Sequence, residues 1–287
     1  MTVTLARTLH RAIPLFALGL AFSSLLAPGS HAQPGAAASP YPLIARWRFE
    51  EGAGTVTRDA LDRFPGTLVG SVTFTPAGVA GTGLAFDPAQ GGVVNFGNVL
   101  PLTNTAFTIS AWFKTPPGDT TPEAVVYGKH DPWYQNGYYL LLNGGGGTIA
   151  GYGGVDGFFH GTPAVNEGQW HHVVQTFAEN GDIRFYLDGT VLASAKGGPL
   201  IPSPANFMLG GIDPPPPARR FNGIIDEVQI YAAAVTESDV AFLRANPALS
   251  LGDLDVINFQ PAAGVVPNPA TVILSTRLSA GEIRYTV

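Results

Sequence analysis

Two Asx-Gly pairs, Asn180-Gly181 and Asp188-Gly189, constrain this 287-residue chain more than any other feature. They punctuate the run Gly168 to Gly189, GQWHHVVQTFAENGDIRFYLDG. From Trp170 to Phe177 the residues are aromatic, β-branched or amphipathic, as a half-buried strand requires. Asn180-Gly181 tolerates positive φ and marks a hairpin. Beyond it Ile183, Phe185 and Leu187 alternate with Arg184, Tyr186 and Asp188, a two-residue period. Asp188-Gly189 turns the chain again, into Val191-Leu192-Ala193. The run is a β-meander, and no helix reading survives two such turns so close together.

The rest of the chain follows the same period. Ala45, Trp47 and Phe49 alternate with Arg46, Arg48 and Glu50. Phe107, Ile109, Ala111 and Phe113 alternate with Thr108, Ser110, Trp112 and Lys114 in the longest clean strand. Ala124 to Lys129, Gly137 to Asn143 and, past four glycines, Thr148 to Tyr152 read as further strands. Pro214 to Pro217 cannot donate to a ladder and marks an extended loop. One helix is expected, starting at Thr236-Glu237-Ser238-Asp239, with Thr236 as N-cap, Asp239 three residues on, and Val240 and Leu243 facing inward. Gly and Pro fill 36 and 25 positions and only 13% of residues are charged, which suits many short strands and turns. The chain has no cysteine, which removes disulfides and thiolate metal sites.

The strand Trp170-x-His172-Val173 with the end Tyr186-x-Asp188-Gly189, and downstream Phe221-Asn-Gly-Ile-Ile-Asp226-Glu227-Val-Gln-Ile-Tyr231, resemble the two signatures of LamG-like (laminin G domain-like) jelly-roll domains of the concanavalin A-like lectin/glucanase superfamily. Trp47-x-Phe49 followed by Glu50-Glu51-Gly52 and Asp59 resembles the way such domains begin. The resemblance covers residues 43–245 and implies an all-β fold: a two-sheet antiparallel jelly-roll β-sandwich with one short C-terminal helix. It does not name a function, because this fold serves many.

The flanks read differently. Arg7 and Arg11 precede an apolar stretch from Ile13 to Leu26 and a small-x-small site, Ser30-His31-Ala32, the pattern of a signal peptide over residues 1–32. Pro14 and Gly19 interrupt that stretch, which is short of the roughly 20 apolar residues of a span. Cleavage near Ala32 places the protein outside the cell or in its envelope. The remaining chain then carries 13 basic residues (15 less two arginines) against 21 acidic ones, net −8. That balance argues against nucleic acid or an anionic membrane as partner. Residues 33–42 (QPGAAASPYP) read as a disordered lead and 246–258 as a linker. Residues 259–287 resemble the start of the small β-module found at the C-terminus of bacterial chitobiases. Since Ile283-Arg-Tyr-Thr286 is normally followed by more strands, the expectation is an incomplete module and a piece of a longer protein.

Glycosidases on this sandwich place acids at alternate positions of one strand, so that both carboxylates share a face. Here the acidic i, i+2 pair Asp253 and Asp255 falls in the linker, and no Gly-x-Ser-x-Gly elbow or His-Glu-x-x-His helix is present. Asp226-Glu227 and Glu50-Glu51 are neighbours, which on regular strands face opposite sides. The same holds for His171-His172, which therefore read as packing or hydrogen-bonding residues rather than a metal pair.

Sugar binding needs an aromatic face beside amide and carboxylate groups. The stretch Lys129, His130, Asp131, Pro132, Trp133, Tyr134, Gln135 and Asn136 has that mixture between two strands, and is the candidate ligand-binding loop. From the resemblance comes an expected structural Ca²⁺, held by Asp226 with Glu50 and Asp59 of the opening segment; a hard cation takes six to eight such oxygens. The chain therefore reads as a secreted non-catalytic binding module for a polysaccharide or glycoconjugate. The alternatives are an adhesion or spacer domain binding a surface protein, and a divergent or truncated glycoside hydrolase.

Overall fold

The computed structural model describes residues 3–4, 41–102, 105–121, 123–130, 136–143, 148–153, 158–160, 164–197, 200–212, 219–252, 257–260 and 273–276. Most of the expected leader, of the lead after it and of the expected C-terminal module lies outside these residues, as do residues 253–256 of the expected linker. The chain divides into two compact units, Pro40–Gly252 and the two ends, Met1–Ser39 with Asp253–Val287. The end unit opens with β1 (Val3–Thr4), which pairs with residues 273–274.

The larger unit is a sandwich of two antiparallel sheets. Its strands are β2 (Leu43–Trp47), β3 (Val56–Thr57), β4 (Gly66–Val69), β5 (Val72–Thr75), β6 (Gly83–Phe86), β7 (Val93–Asn95) and β8 (Phe107–Lys114). There follow β9 (Ala124–Lys129), β10 (Tyr138–Asn143), β11 (Thr148–Gly153), β12 (Phe158–His160), β13 (His171–Phe177), β14 (Asp182–Leu187), β15 (Thr190–Lys196), β16 (Met208–Leu209) and β17 (Gly223–Tyr231). One sheet runs β12-β11-β10-β9-β16-β7-β4-β3, the other β15-β14-β13-β8-β17-β6-β5, with β2 also on β17. The helix α1 (Glu237–Ala245) follows. In the end unit β18 (Ile257–Gln260) pairs with β19 (Ile273–Thr276), and β19 with β1.

The two Asx-Gly pairs make different turns. Between Leu187 and Thr190, Asp188 and Gly189 both take positive φ (50° and 82°), the two-residue hairpin turn whose twist matches the strands. At Asn180-Gly181 only the glycine does (81°). Ala178 N donates to Asp182 O and Gly181 N to Ala178 O, a three-residue loop ending in a left-handed residue. The wider loop arises because the Asn180 side chain accepts from Asp182 N at 2.9 Å rather than turning its own backbone.

Between the sheets lies an apolar core in which aromatic rings do most of the filling. Trp47 packs 4.6 Å from Phe96 and 5.9 Å from Phe207 between centroids, and Phe107 stacks on Phe177 at 4.2 Å. Burying each such side chain contributes roughly 1.5–3 kcal/mol. The Trp47 indole N–H donates to Phe64 O at 2.9 Å, so the ring is buried without an orphaned donor. One polar bond joins the sheets through this core, from Tyr127 Oη to Gln175 Oε1 at 3.0 Å.

The outer face of the β8–β13–β17 region is covered as well, by α1 and the segment on to Leu251. Val240 and Leu243 of the helix are buried, and Thr236 and Asp239 close a capping box, as the sequence predicts. Below them the sheet is polar. Thr108 Oγ1 donates to Ala233 O, Arg46 Nη2 to Ala248 O at 2.6 Å, and Gln229 Nε2 to Leu249 O at 2.9 Å; Leu251 N donates to the Tyr231 hydroxyl. Arg46, which alternation puts on the exposed side, is 7% exposed.

Strand β17 carries a bulge that the sequence does not announce. Asp226 lies opposite Trp112 and Gln229 opposite Ser110, so three steps on β17 span two on β8, and Glu227 sits at φ 46°. The alternation expected for Asp226-Glu227 is thereby broken. Glu227 reaches Arg46, whose strand neighbours Ala45 and Trp47 face the core, while Asp226 opposes Trp112; both acids belong to the outer side.

Candidate functional site

Of the expected ligand-binding loop, Asp131, Pro132, Trp133, Tyr134 and Gln135 lie outside the described residues. Its two ends are described, and both are buried. Lys129 is 1% exposed; its ammonium donates to Asn98 Oδ1 at 2.7 Å and to Ala205 O at 2.5 Å. His130 lies against the Tyr139 ring, and its Nδ1 is 2.6 Å from Asn136 O. Buried Asn136 is followed by Gly137 at φ 71°, where an added Cβ would meet Lys129 O at 1.8 Å. Lys129, His130 and Asn136 thus anchor the ends of the loop.

The three expected calcium residues divide. Asp59 spends its carboxylate on its own loop, accepting from Leu61 N at 2.8 Å, Arg63 N at 2.6 Å and Phe64 N at 2.5 Å. Glu50 and Asp226 converge on one other loop. Asp226 Oδ2 accepts from Ala80 N at 3.2 Å, and Glu50 Oε2 from Thr82 Oγ1 at 3.1 Å. Gly78 is hemmed in there, since an added Cβ would lie 2.7 Å from both Asp226 Oδ2 and Gly81 O. Asp226 is fully buried, and burial, together with the nearby Glu227 charge, pushes its carboxyl up to about 7 against the Ala80 hydrogen bond. Arg46 and Arg48 serve Glu227 instead, at 3.0 and 3.4 Å. Burial also raises Glu227, with those guanidinium groups opposing. Among the described residues no three His, Asp or Glu side chains gather as a metal cluster.

Adjacent histidines at the start of β13 take opposite environments. His171 lies by the core residue Phe113, with Nδ1 2.8 Å from Asp188 Oδ2 and Nε2 3.0 Å from Glu167 Oε1, the latter a charge contact rather than an aligned hydrogen bond. Burial lowers His171, but Asp188 and Glu167 outweigh it and raise it above the ordinary value. His172 faces outward, stacked on Trp112 at 4.8 Å, with Nε2 2.8 Å from Ser110 Oγ. Burial drives it down to about 3, so it is neutral. Two rings on opposite faces cannot share a metal, as the sequence predicts.

Beside His172 the structure shows a groove that sequence reasoning missed. It holds about 400 Å³ and is lined by Trp112, Asp188, Gly189, Thr190, Ala241, Arg244 and Ala245. The two-residue turn after β14 makes one wall and the last turns of α1 the other. Asp188 is pinned by His171 Nδ1 and by His172 N at 2.9 Å. Burial raises its carboxyl, but these hydrogen bonds and the His171 and Arg244 charges hold it below the ordinary value. The available signal was Trp112 itself, a large aromatic on the polar side of its strand.

The family model Laminin_G_3, of the Concanavalin A-like lectin/glucanases superfamily, matches residues 88–241, more than half of the chain. Among solved structures the chain is similar to domain 4 of AbnA, a GH43 extracellular arabinanase from Geobacillus stearothermophilus, in complex with arabinotriose. The two are 22% identical with a TM-score of 0.54, over 71% of this chain and 98% of that one. It is similar to the binding domain of Paraclostridial Mosquitocidal Protein 1 (16% identity, TM-score 0.57, 71% of this chain, 52% of that one). A Trypanosoma rangeli sialidase aligns at 18% identity and TM-score 0.55, over 77% of this chain and 36% of the sialidase. The chain thus spans nearly the whole arabinanase domain, about half of the toxin domain and about a third of the sialidase. At these identities the likeness is one of fold.

Proposed function

We propose that this chain, which belongs to the Concanavalin A-like lectin/glucanases superfamily, is a non-catalytic module that binds a carbohydrate outside the cell. The observation that carries the reading is coextension. The likeness takes in 98% of domain 4 of an arabinanase, whose structure is one in complex with arabinotriose. The leader pattern at Arg7 to Ala32 supports an extracellular or envelope location. No helix among the described residues is long and apolar enough to cross a membrane.

Asp226 and Glu227, the acids of the closing signature, are not placed for hydrolysis. A glycosidase needs two carboxylates open to the sugar. Asp226 and Glu227 are both fully buried, one held by backbone N–H groups and the other by two arginines. The proposed contact surface is the loop whose ends Lys129, His130 and Asn136 fix, with Trp133 as its aromatic platform beside Asp131, Tyr134 and Gln135.

Calcium is proposed as a structural ion at Asp226 and Glu50. The fit rests on Asp226, a buried carboxylate with no cationic partner among the described residues, beside the Gly81 carbonyl that also crowds Gly78. A hard cation there would offset the desolvation that now raises Asp226. Asp59 is left out of this set, because its carboxylate already accepts from three N–H groups of its own loop.

The test is binding of the chain from Gln33 onward to arabinotriose and a panel of soluble and insoluble polysaccharides, each with Ca²⁺ and with chelator, beside Trp133→Ala. Glycan binding lost in Trp133→Ala is the expected result. A blank panel with an intact fold would turn the reading to the second one, an adhesion domain for a surface protein, which the likeness to a toxin binding domain favours.

A further inference from the structure

Three groups meet in the groove between the Asp188-Gly189 turn and the end of α1, and none of them is used up by the fold. Trp112 gives one face to His172. Its indole N–H has no hydrogen-bond partner among the described residues, and the residue lines the groove. Arg244 is exposed and, among the described residues, pairs with no carboxylate; its Cδ lies 3.1 Å from where a Cβ on Gly189 would stand. Asp188 is 31% exposed, and each of its oxygens receives one N–H, which leaves acceptor positions on a carboxylate that can take about four.

The backbone that carries these residues is held in place. A two-residue turn with both φ positive holds Asp188. His171 and the His172 backbone clamp its carboxylate from below, and the helix carrying Arg244 is capped and buried through Val240 and Leu243. A volume near 400 Å³ is at the small end of ligand sites, which run about 300–1,000 Å³. The charge pattern selects the ligand. An anion would meet Asp188 and a cation would meet Arg244, whereas a neutral polyol satisfies both, since each hydroxyl donates to one neighbour and accepts from another.

We propose that this groove is a carbohydrate subsite separate from the 129–136 loop, taking one neutral sugar unit whose adjacent hydroxyls bridge Asp188 and Arg244 above the indole edge of Trp112. The proposal rests on the glycan-binding reading and adds to it a place and a class of sugar. Because His171 and Arg244 keep Asp188 ionised, the acceptor stays available at neutral pH.

The chain has four tryptophans, so its indole N–H signals are few enough to assign one by one in an NMR spectrum. Arabinotriose, cellotriose and the anionic trigalacturonate would be titrated into the chain, into Arg244→Gln, and into Ala241→Tyr, an exposed helix position where the new ring fills the groove. The expected result is a shift of the Trp112 signal with a neutral trisaccharide. The affinity at that signal should fall about tenfold in Arg244→Gln, the loss of one charged hydrogen bond, and the shift should vanish in Ala241→Tyr. Should sugar move the Trp133 signal and leave that of Trp112 still, the groove assignment falls while the binding module stands. If no sugar moves any indole, both fall. Tighter binding of trigalacturonate than of the neutral sugars at Trp112 would overturn the class of ligand.

Discussion

The inner and outer faces of the β8–β13–β17 sheet are both buried, yet they are held by different physics. Inside, Ile109, Phe113, Val173, Phe177 and Ile230 belong to one apolar core with the second sheet, into which the Tyr127–Gln175 bond is set. Outside, Thr108, Ser110, His172, Gln229, Tyr231 and the Arg46–Glu227 pair lie under α1 and its following segment, almost every one with a named hydrogen-bond partner. Apolar contact is non-directional and tolerates small displacements. A buried polar layer is less forgiving, because each unmade bond leaves a desolvated group behind. The outer layer therefore fixes where the helix sits, and with it the wall of the groove that Arg244 occupies.

The largest test sets the two faces against each other. Phe107→Ala should cost about 3–5 kcal/mol in chemical denaturation. Glu227→Ala should cost a comparable ~3–5 kcal/mol, because it strands Arg46 in a buried site. A loss under 1 kcal/mol for Glu227→Ala would mean that water relieves the outer face and that the contrast is false. Replacing both members, Arg46→Met with Glu227→Leu, should recover most of the loss and sharpen it.

Next comes pH. Asp226 binds its proton more tightly in the fold (about 7) than when unfolded, so its contribution is complete below the ordinary carboxylate range and disappears as pH rises through about 7. In chelator, melting curves should show stability falling between about pH 4 and pH 7 by an amount of order a few kcal/mol. Asp226→Asn should flatten that slope, and Ca²⁺ should flatten it in the parent chain only. An unchanged slope in Asp226→Asn would shift the effect to His171.

The histidine pair gives the two faces in adjacent residues. His171, raised, stabilises fully below pH 6.5 and loses that contribution as pH climbs past its folded value. His172, lowered to about 3, destabilises progressively as pH falls from 6.5 toward 3. NMR titration should show His171 titrating above the ordinary value and His172 silent down to about pH 4; coincident curves would break the assignment of faces. Smallest is Thr236→Ala, expected to cost about 1 kcal/mol through the lost cap. If that change also weakens sugar binding at Trp112, helix placement and groove are coupled as the outer layer implies.

Much of this architecture can be read from the chain because the inner face writes itself in period two. Phe107 to Lys114, Ala124 to Lys129 and the hairpin at Asp188-Gly189 are strands and turn where expected, and Thr236 caps its helix. The jelly-roll sandwich that the Trp170–Gly189 and Phe221–Tyr231 signatures imply is the fold found. The outer face is harder to read, because what covers it comes from residues 232–251, remote in sequence from the strands beneath. Arg46 looks like a solvent residue until Ala248 and Glu227 are set beside it. The Glu227 bulge has no glycine to mark it. Asp59 has the chemistry of a cation ligand, and only the fold shows its oxygens turned to Leu61, Arg63 and Phe64. For Lys129, a charged residue at a strand end, nothing in the sequence reveals that Asn98 and Ala205 enclose it. Trp133 and its neighbours remain a proposal carried by residue type.

The pairing of β2 with β17 has a mechanical consequence. Leu43 lies opposite Tyr231, and Ala232 N donates to Pro42 O, so the polypeptide enters the sandwich beside the end of its last strand. Tension transmitted along a tethered chain would reach that strand pair at one end and pull its hydrogen bonds apart singly, as a zip opens, instead of loading them in parallel. What resists is the clasp beyond it, where Arg46 grips Ala248 O and Tyr231 holds Leu251 N. Under flow or traction, then, the first piece to give is the clasp, and the groove wall built on α1 goes with it.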